Sequence, residues 1–179
     1  SIRGWRRFVE RYWNLQSVLV DGDKIRPELE GAFNKAIKKV GEDIENIKFN
    51  TAIATLMALI NDISNVKSIN KEELRIFSIL LNPFAPHVTE EVYEACKLGN
   101  GILAEAKWPE YDESKCVDEI VVQVNGKIKA KLNIPVDADK DAVLDLAKND
   151  ENVKKAIDGM KIIKEIVVPK KLVNLVVKP

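Results

Sequence analysis

The hydrophobic period of this chain switches near residue 117 from helical to strand-like, and that switch constrains the architecture more than any other feature. Through residue 98, apolar side chains recur at steps of three and four, the period of amphipathic helices. From residue 117 they recur at every second position through Ile134, the period of half-buried strands. Between the two, residues 99–116 run from Gly99-Asn100-Gly101 through Trp108-Pro109 to Cys116 with no sustained period, and read as a linker. The fold class that follows is multi-domain, α and α+β: an all-α helical bundle over 1–98 and a small ββαββ domain over 117–179.

Five helices are predicted in the bundle. The first carries Trp5, Phe8, Val9, Tyr12, Leu15 and Leu19 on one face, with Arg3, Arg6, Arg7, Glu10 and Arg11 opposite. The second follows the turn Asp21-Gly22-Asp23 with Pro27 at a first helical position, and its stripe runs from Leu29 through Val40 and Ile44 to Ile47. Asn50 is placed to cap the third, whose stripe is Ile53, Leu56, Met57, Ile60 and Ile63. Asn70 and Glu73 have capping-box spacing for the fourth, which Pro83 and Pro86 must end. A fifth begins near Thr89, where Glu90 and Glu91 suit the positive end of the helix dipole, and stops near Gly99.

In the tail, Ile120, Val122 and Val124 lead into Asn125-Gly126 and on to Ile128, Ala130, Leu132 and Ile134, a hairpin signature. A two-residue loop would set Val124 against Lys127 and mix apolar side chains with lysines on one face. A three-residue loop of Val124, Asn125 and Gly126 avoids that. It pairs Gln123 with Lys127 and Glu119 with Lys131, leaving Ile120, Val122, Ile128, Ala130 and Leu132 on the other face. One helix is expected next, capped by Asp137 or Asp139, with Val143, Leu146, Ala147, Val153, Ala156 and Ile157 inward and Gly159 as its stop. The runs 162–168 and 172–177, separated by Pro169-Lys170-Lys171, read as the last two strands.

Chemistry is harder to find. Lys plus Arg and Asp plus Glu both number 28, and the zero net charge excludes a uniformly basic nucleic-acid clamp. No apolar run reaches the roughly 18 residues of a membrane span and no signal segment opens the chain, so a soluble, cytoplasmic protein is expected. Opening on Ser1 rather than Met and ending on Pro179 directly after a strand-like run, it reads as a piece of something longer. Cys96, Cys116 and the lone His87 make three soft ligands where a closed zinc site needs about four, so no metal site is expected. His87 beside Pro86 has no nucleophile motif around it, and a lone histidine more often packs or caps. No glycine pattern cradles a phosphate, and no catalytic residue is assigned.

Two basic features remain. Arg3, Arg6, Arg7 and Arg11 form a cationic stripe on the first helix, either solvated surface or a phosphate contact. Lys127, Lys129 and Lys131 alternate along one strand, either to guard an edge against pairing with another chain or to meet an anionic partner. Like charges about 7 Å apart repel unless something anionic lies across them.

Motifs carry the reading further. Leu81-Asn82-Pro83-Phe84-Ala85-Pro86-His87-Val88-Thr89-Glu90-Glu91 resembles the proline-broken helix junction in the anticodon-binding bundle of the class I aminoacyl-tRNA synthetases for leucine, isoleucine and valine. Phe49-Asn50-Thr51-Ala52-Ile53-Ala54, Trp108-Pro109, Val122-Gln123-Val124-Asn125-Gly126-Lys127 and Leu172-Val173-Asn174-Leu175-Val176-Val177 resemble the end of bacterial-type leucyl-tRNA synthetases. Where that family commonly has Pro-Gly-Lys before its last strand, this chain has Pro169-Lys170-Lys171, losing a glycine and gaining a lysine.

The resemblance implies a C-terminal, tRNA-binding fragment of a leucine-tRNA ligase. The parent would attach leucine through a leucyl-adenylate using ATP and magnesium, whereas this fragment, lacking both ATP-binding signatures, would hold no cofactor and be inactive alone. Its implied partners are leucine tRNA and the remainder of the synthetase. Lys127, Lys129, Lys131, Lys170 and Lys171 are the expected phosphate contacts, with Arg3, Arg6, Arg7 and Arg11 adding others. The alternatives are a protein-interaction module whose lysine face meets an acidic protein, and a fragment of an isoleucine or valine enzyme.

Overall fold

The computed structural model describes residues 2–135, 138–169 and 171–179. Its contacts fall into two compact units, Ser1–Glu113 and Ser114–Pro179.

The first unit is built on α1 (Ile2–Asn14), α2 (Pro27–Glu45), α3 (Phe49–Val66), α4 (Lys71–Leu81) and α5 (Pro86–Ala95). Each buries one face in a common core. Phe8 and Tyr12 of α1 meet Phe77 of α4, with the Tyr12 and Phe77 rings stacked at 5.6 Å, and Leu29, Phe33 and Ile37 of α2 lie in the same core as Leu56, Ile60 and Ile63 of α3. Full burial of each such side chain contributes roughly 1.5–3 kcal/mol. The Tyr12 hydroxyl, carried into this core, is satisfied by Ser78 Oγ at 2.5 Å. Burial pushes its ionisation well above the ordinary range.

Two tiny strands were not anticipated. β1 (Leu19–Val20) and β2 (Ile69–Asn70) pair in parallel, Leu19 with Ile69 and Val20 with Asn70, after a 3-10 turn over Leu15–Val18. Two residues give no readable period, so only tertiary contact creates them. Gly22 allows the crossing, because a Cβ there would come within 3 Å of the Asn70 side chain. Asn70 and Glu73 form the expected capping box, each side chain meeting the other's backbone N–H at 2.9 Å.

Helix ends depart from expectation at four places. The first is α1, which stops at Asn14, so that Leu15 falls in the 3-10 turn and Leu19, expected on the same helical face, in β1. The second helix stops at Glu45, and Ile47, expected in the buried stripe, is 76% exposed at φ 58. Lys48 N–H donates to Asp43 O at 2.7 Å and Ile47 N–H to Ile44 O at 3.1 Å, a Schellman ending with Ile47 in the left-handed position glycine normally fills. Asn50 does not cap the third helix, which starts one residue earlier and has Lys48 before it. The fifth helix starts at Pro86 rather than Thr89, since a proline at the first helical position loses no hydrogen bond. Thr89 is then inside the helix, its hydroxyl donating to Ala85 O at 2.8 Å.

The stretch read as a linker, 99–116, is partly an element of the first unit. Leu103 is buried in the bundle core, and the indole of Trp108 lies against Gly41, where a Cβ would stand 3.3 Å from its Nε1. Glu90 fixes the segment by accepting the N–H groups of Leu103 and Ala104, both at 2.8 Å. Asn34 Oδ1 accepts the N–H of Asp112 at 2.7 Å, and Lys38 pairs with Glu113 at 2.5 Å. Residues 99–113 therefore form a strap across α2 and α5.

The second unit contains β3 (Val117–Val124), β4 (Lys127–Pro135), α6 (Lys140–Asn149), α7 (Glu151–Ile157), β5 (Lys161–Val168) and β6 (Leu172–Lys178). The sheet order is β4-β3-β6-β5, with β3 and β6 parallel and the outer pairs antiparallel. The single helix expected between the hairpins is two helices. Asp150 breaks it in extended conformation and caps α7, accepting from Asn152 N–H at 2.9 Å and Val153 N–H at 3.2 Å. Asp139 caps α6 through Ala142 N–H at 2.8 Å, while Asp137 lies outside the described residues. Leu146, expected inward, is 46% exposed: a helix that buries Leu144 and Ala147 turns the intervening position away. Gly159, at φ 69, follows the end of α7 as expected.

Candidate nucleic-acid interface

The lysines of β4 are positioned by a hairpin whose register differs from the one its sequence suggested. The loop is two residues, Asn125 at φ 50 and Gly126 at φ 78, the left-handed pair of a type I′ turn. Val124 pairs with Lys127 and Gln123 with Ile128, after which the register slips so that Val122 meets Ala130 and Ile120 meets Leu132. The conflict of faces that argued for a three-residue loop is real. It is relieved one step further along, by a β-bulge in which Lys129 is the extra residue. Asn125 decides the matter, because its Nδ2 donates to Val177 O at 3.1 Å and its Oδ1 accepts from Val177 N–H at 2.9 Å, a clasp that holds the turn against β6.

The corrected register redistributes the charges. Ile128, expected inward, shares the side of Gln123 and is 61% exposed. Glu119 pairs with Asn133 and meets Lys131 only diagonally, at 3.8 Å. Lys127 lies on the side of Val124, which is the core side, and Lys131 on the side of Val121, so the three lysines do not line one face. All three are exposed on an edge strand, which a bulge and lysines also protect from pairing. Lys171 is exposed in the turn before β6, its carbonyl accepting from Val121 N–H at 3.1 Å, while the strand partners of Val121 are Lys131 and Leu172. Lys170 lies outside the described residues.

The arginines of α1 divide by role. Arg11 ties α1 to α3, donating to Asn61 Oδ1 at 2.8 Å and Ser64 Oγ at 2.9 Å, and Arg6 pairs with Glu10 at 3.0 Å. Arg3 and Arg7 are exposed. His87 is exposed in the first turn of α5, and burial raises the Cys96 thiol above its ordinary value. Among the described residues no group of three or more His, Cys, Asp or Glu could hold a metal, and no helix is long and apolar enough to cross a membrane.

Sequence reasoning named Lys170 and Lys171 but overlooked Lys161, Lys164 and Lys178 beside them. Residues 161–178 hold five lysines against the single acid Glu165, whereas residues 117–135 hold three lysines against Asp118 and Glu119. The signal was legible as a local charge count, hidden by the zero net charge of the whole chain. That zero is itself the sum of two units: Ser114–Pro179 has 13 lysines and 10 acids, a net of +3 that the first unit cancels.

Comparison with known proteins agrees with this architecture. Residues 28–144 match the family described as the anticodon-binding domain of tRNA ligase, a span reaching from α2 into α6. The chain belongs to that family. It is similar to the leucine–tRNA ligase of Alkaliphilus oremlandii (strain OhILAs), 44% identical over 181 residues that cover 99% of this chain and 22% of that protein. It is also similar to the LeuRS of Agrobacterium radiobacter K84 agnB2, crystallised in a ternary complex with tRNA and LeuAMS, with a TM-score of 0.63 and 26% identity over 99% of this chain and 26% of that one. This member of the anticodon-binding family thus spans about a fifth of the length of the curated relative it matches, at 22%. The likeness extends beyond the bundle to the small sheet unit, which the resemblance of the two tail motifs anticipated.

Proposed function

We propose that this chain is the tRNA-positioning C-terminal part of a leucine–tRNA ligase. The observation that carries the reading is the 44% identity to a leucine–tRNA ligase over 99% of the chain, both units included, which favours leucine over the isoleucine and valine enzymes. In this reading the aminoacylation chemistry, its ATP and its magnesium belong to the remainder of the synthetase, with which this part works in the cytoplasm. What the chain's own residues supply is placement. Exposed ammonium groups on the small unit neutralise backbone phosphates, and exposed Arg3 and Arg7 extend the same chemistry to the bundle. Phosphate contacts of this kind fix register and orientation without reading bases. Arg6 and Arg11 contribute less, being engaged with Glu10 and with Asn61 and Ser64.

The test is a titration of the 179-residue chain against labelled leucine tRNA and a non-cognate tRNA, followed by fluorescence anisotropy over a range of salt. Salt-sensitive binding that favours leucine tRNA is expected. Replacing Lys127, Lys129 and Lys131 by Ala should flatten the salt dependence by somewhat under one unit of slope for each phosphate that is no longer neutralised. Binding of neither RNA at low salt overturns tRNA positioning by this chain on its own, leaves it a scaffold that works only beside the remainder of the synthetase, and favours the protein-interaction reading.

A further inference from the structure

We infer that the main RNA-backbone contact of the small unit is made by the helix-free face of its sheet along β5 and β6, through Lys161, Lys164 and Lys178. The inference rests on the tRNA reading above and locates the phosphates on a surface that reading did not include.

Charge within the unit is separated by element. The helical stretch 138–160 carries four lysines against six acids, a net of −2. Residues 117–135 have a net of +1, and residues 161–178, with five lysines and one acid, a net of +4. The single acid of that last stretch does not offset the lysines locally, because Glu165 is spent on Lys148 of α6 and pairs across the strands with core-facing Leu175. A polyanion approaching this unit is repelled from the helical side and drawn to the β5–β6 side.

Register then sets which lysines converge. Val173, Leu175 and Val177 of β6 face the helices, so Val176 and Lys178 face away. Lys161 is the cross-strand partner of Lys178 and Lys164 that of Val176, which places all three ammonium groups on the helix-free face. Residues three apart in a regular strand point to opposite faces. Lys161 and Lys164 share one only because Ile163 is bulged out between them. Like charges directly opposite each other, as Lys161 and Lys178 are, destabilise a strand pair, and a bridging anion removes that penalty.

Composition selects the ligand chemistry. Residues 114–179 contain no Phe, Trp or Tyr, so the unit has no platform on which an unstacked base could lie. The rest of that face is made of Val121, Leu172, Val176 and Ile166, the amides of Gln123 and Asn174, and the Glu119–Lys131 pair. On this face the lysines meet phosphates and the aliphatic side chains and amides lie against the sugar, without the aromatic stacking that holds an unstacked base. The occupant is a phosphodiester backbone.

The experiment compares two triple variants of the full chain, K161A/K164A/K178A and K127A/K129A/K131A, for binding of labelled leucine tRNA between about 50 and 200 mM salt. The β5–β6 triple should lower the slope of log affinity against log salt by about two units or more, given roughly 0.7–0.9 per neutralised phosphate, and the β4 triple by less. K161R/K164R/K178R should retain the slope, and circular dichroism with thermal melting should show each variant folded. An unchanged slope in the β5–β6 triple, with tight binding by the parent chain, overturns this inference and leaves the tRNA reading intact. Failure of the parent chain to bind at low salt overturns both. Binding of poly-glutamate as tight as that of tRNA, and abolished in the same triple, would give the face to an acidic protein and overturn the RNA assignment.

Discussion

Arg26 and Glu73 grip one another at two points, Nε to Oε1 at 2.8 Å and NH2 to Oε2 at 2.9 Å, with the Glu73 side chain wholly buried. The backbone N–H of Arg26 also donates to Oε1 at 3.1 Å, and that of Asn70 to Oε2 at 2.9 Å, so each carboxylate oxygen accepts two hydrogen bonds. The guanidinium reaches on to Ser68, through its Oγ at 2.8 Å and its carbonyl at 2.9 Å. One ion pair thus joins the start of α2, the start of α4 and the turn before it. A buried pair of this kind is costly to break from one side. Arg26→Ala should destabilise the first unit by about 3 kcal/mol, because it leaves a desolvated carboxylate. Arg26→Lys should fall between, since an ammonium keeps the charge but cannot reproduce the two-point geometry. Urea denaturation of the two variants against the parent chain measures both.

The same carboxyl gives the bundle a pH dependence whose sign is fixed. Burial alone would raise the Glu73 value, but the Arg26 guanidinium and the two N–H donors outweigh it and hold the group below its ordinary 4.5. A depressed folded-state value means that its stabilisation is complete above 4.5 and is lost as the pH falls through the folded value. The melting temperature of the parent chain should therefore drop on acidification below about pH 4.5. Glu73→Gln should start lower at neutral pH and decline less steeply. Parallel curves for the two proteins would remove Glu73 from the account.

Ile47 offers a gain rather than a loss. It occupies the left-handed position of a helix ending at φ 58, where a β-branched L-residue is strained by roughly 1–2 kcal/mol, and 76% exposure means its side chain contributes little packing. Ile47→Gly should stabilise the first unit by about 1 kcal/mol after the entropy that glycine adds to the unfolded chain. Chemical denaturation should show a higher midpoint with an unchanged slope.

Ile47 also shows where the sequence stopped being legible. The first four helices were readable because each carries an apolar stripe at helical period, and the Asn70-Glu73 capping box because it is local chemistry at fixed spacing. Helix ends without glycine leave no such mark: Ile47, Lys67 and Lys97 all take positive φ where nothing in the residue type asks for it. In the hairpin, Asn125-Gly126 announced its turn correctly, and the face argument was sound, but the bulge at Lys129 that reconciles them depends on the clasp between Asn125 and Val177, 52 residues away. The lysine pairing of Lys161 with Lys178 is likewise a property of register, invisible until two distant strands are aligned.

The strap over the bundle supplies a final test, in which two accounts of residues 99–113 give opposite results. Read as a linker, the segment should be cut quickly wherever a protease finds a site, and Lys107, 85% exposed at its side chain, is such a site for trypsin. In the structure the backbone around it is held on both sides. Glu90 accepts the N–H groups of Leu103 and Ala104, and Trp108 lies against Gly41. Cleavage then requires local opening, and its rate follows the free energy of that opening when reclosure outpaces cutting. Hydrogen bonds to a charged group contribute about 1.5–3 kcal/mol each, and about 1.4 kcal/mol corresponds to a tenfold change. Glu90→Ala should therefore accelerate cleavage after Lys107 by at least about tenfold while global unfolding in urea shifts much less. Rapid cleavage of the parent chain at Lys107, unaltered by Glu90→Ala, would mean that the strap is not docked in solution.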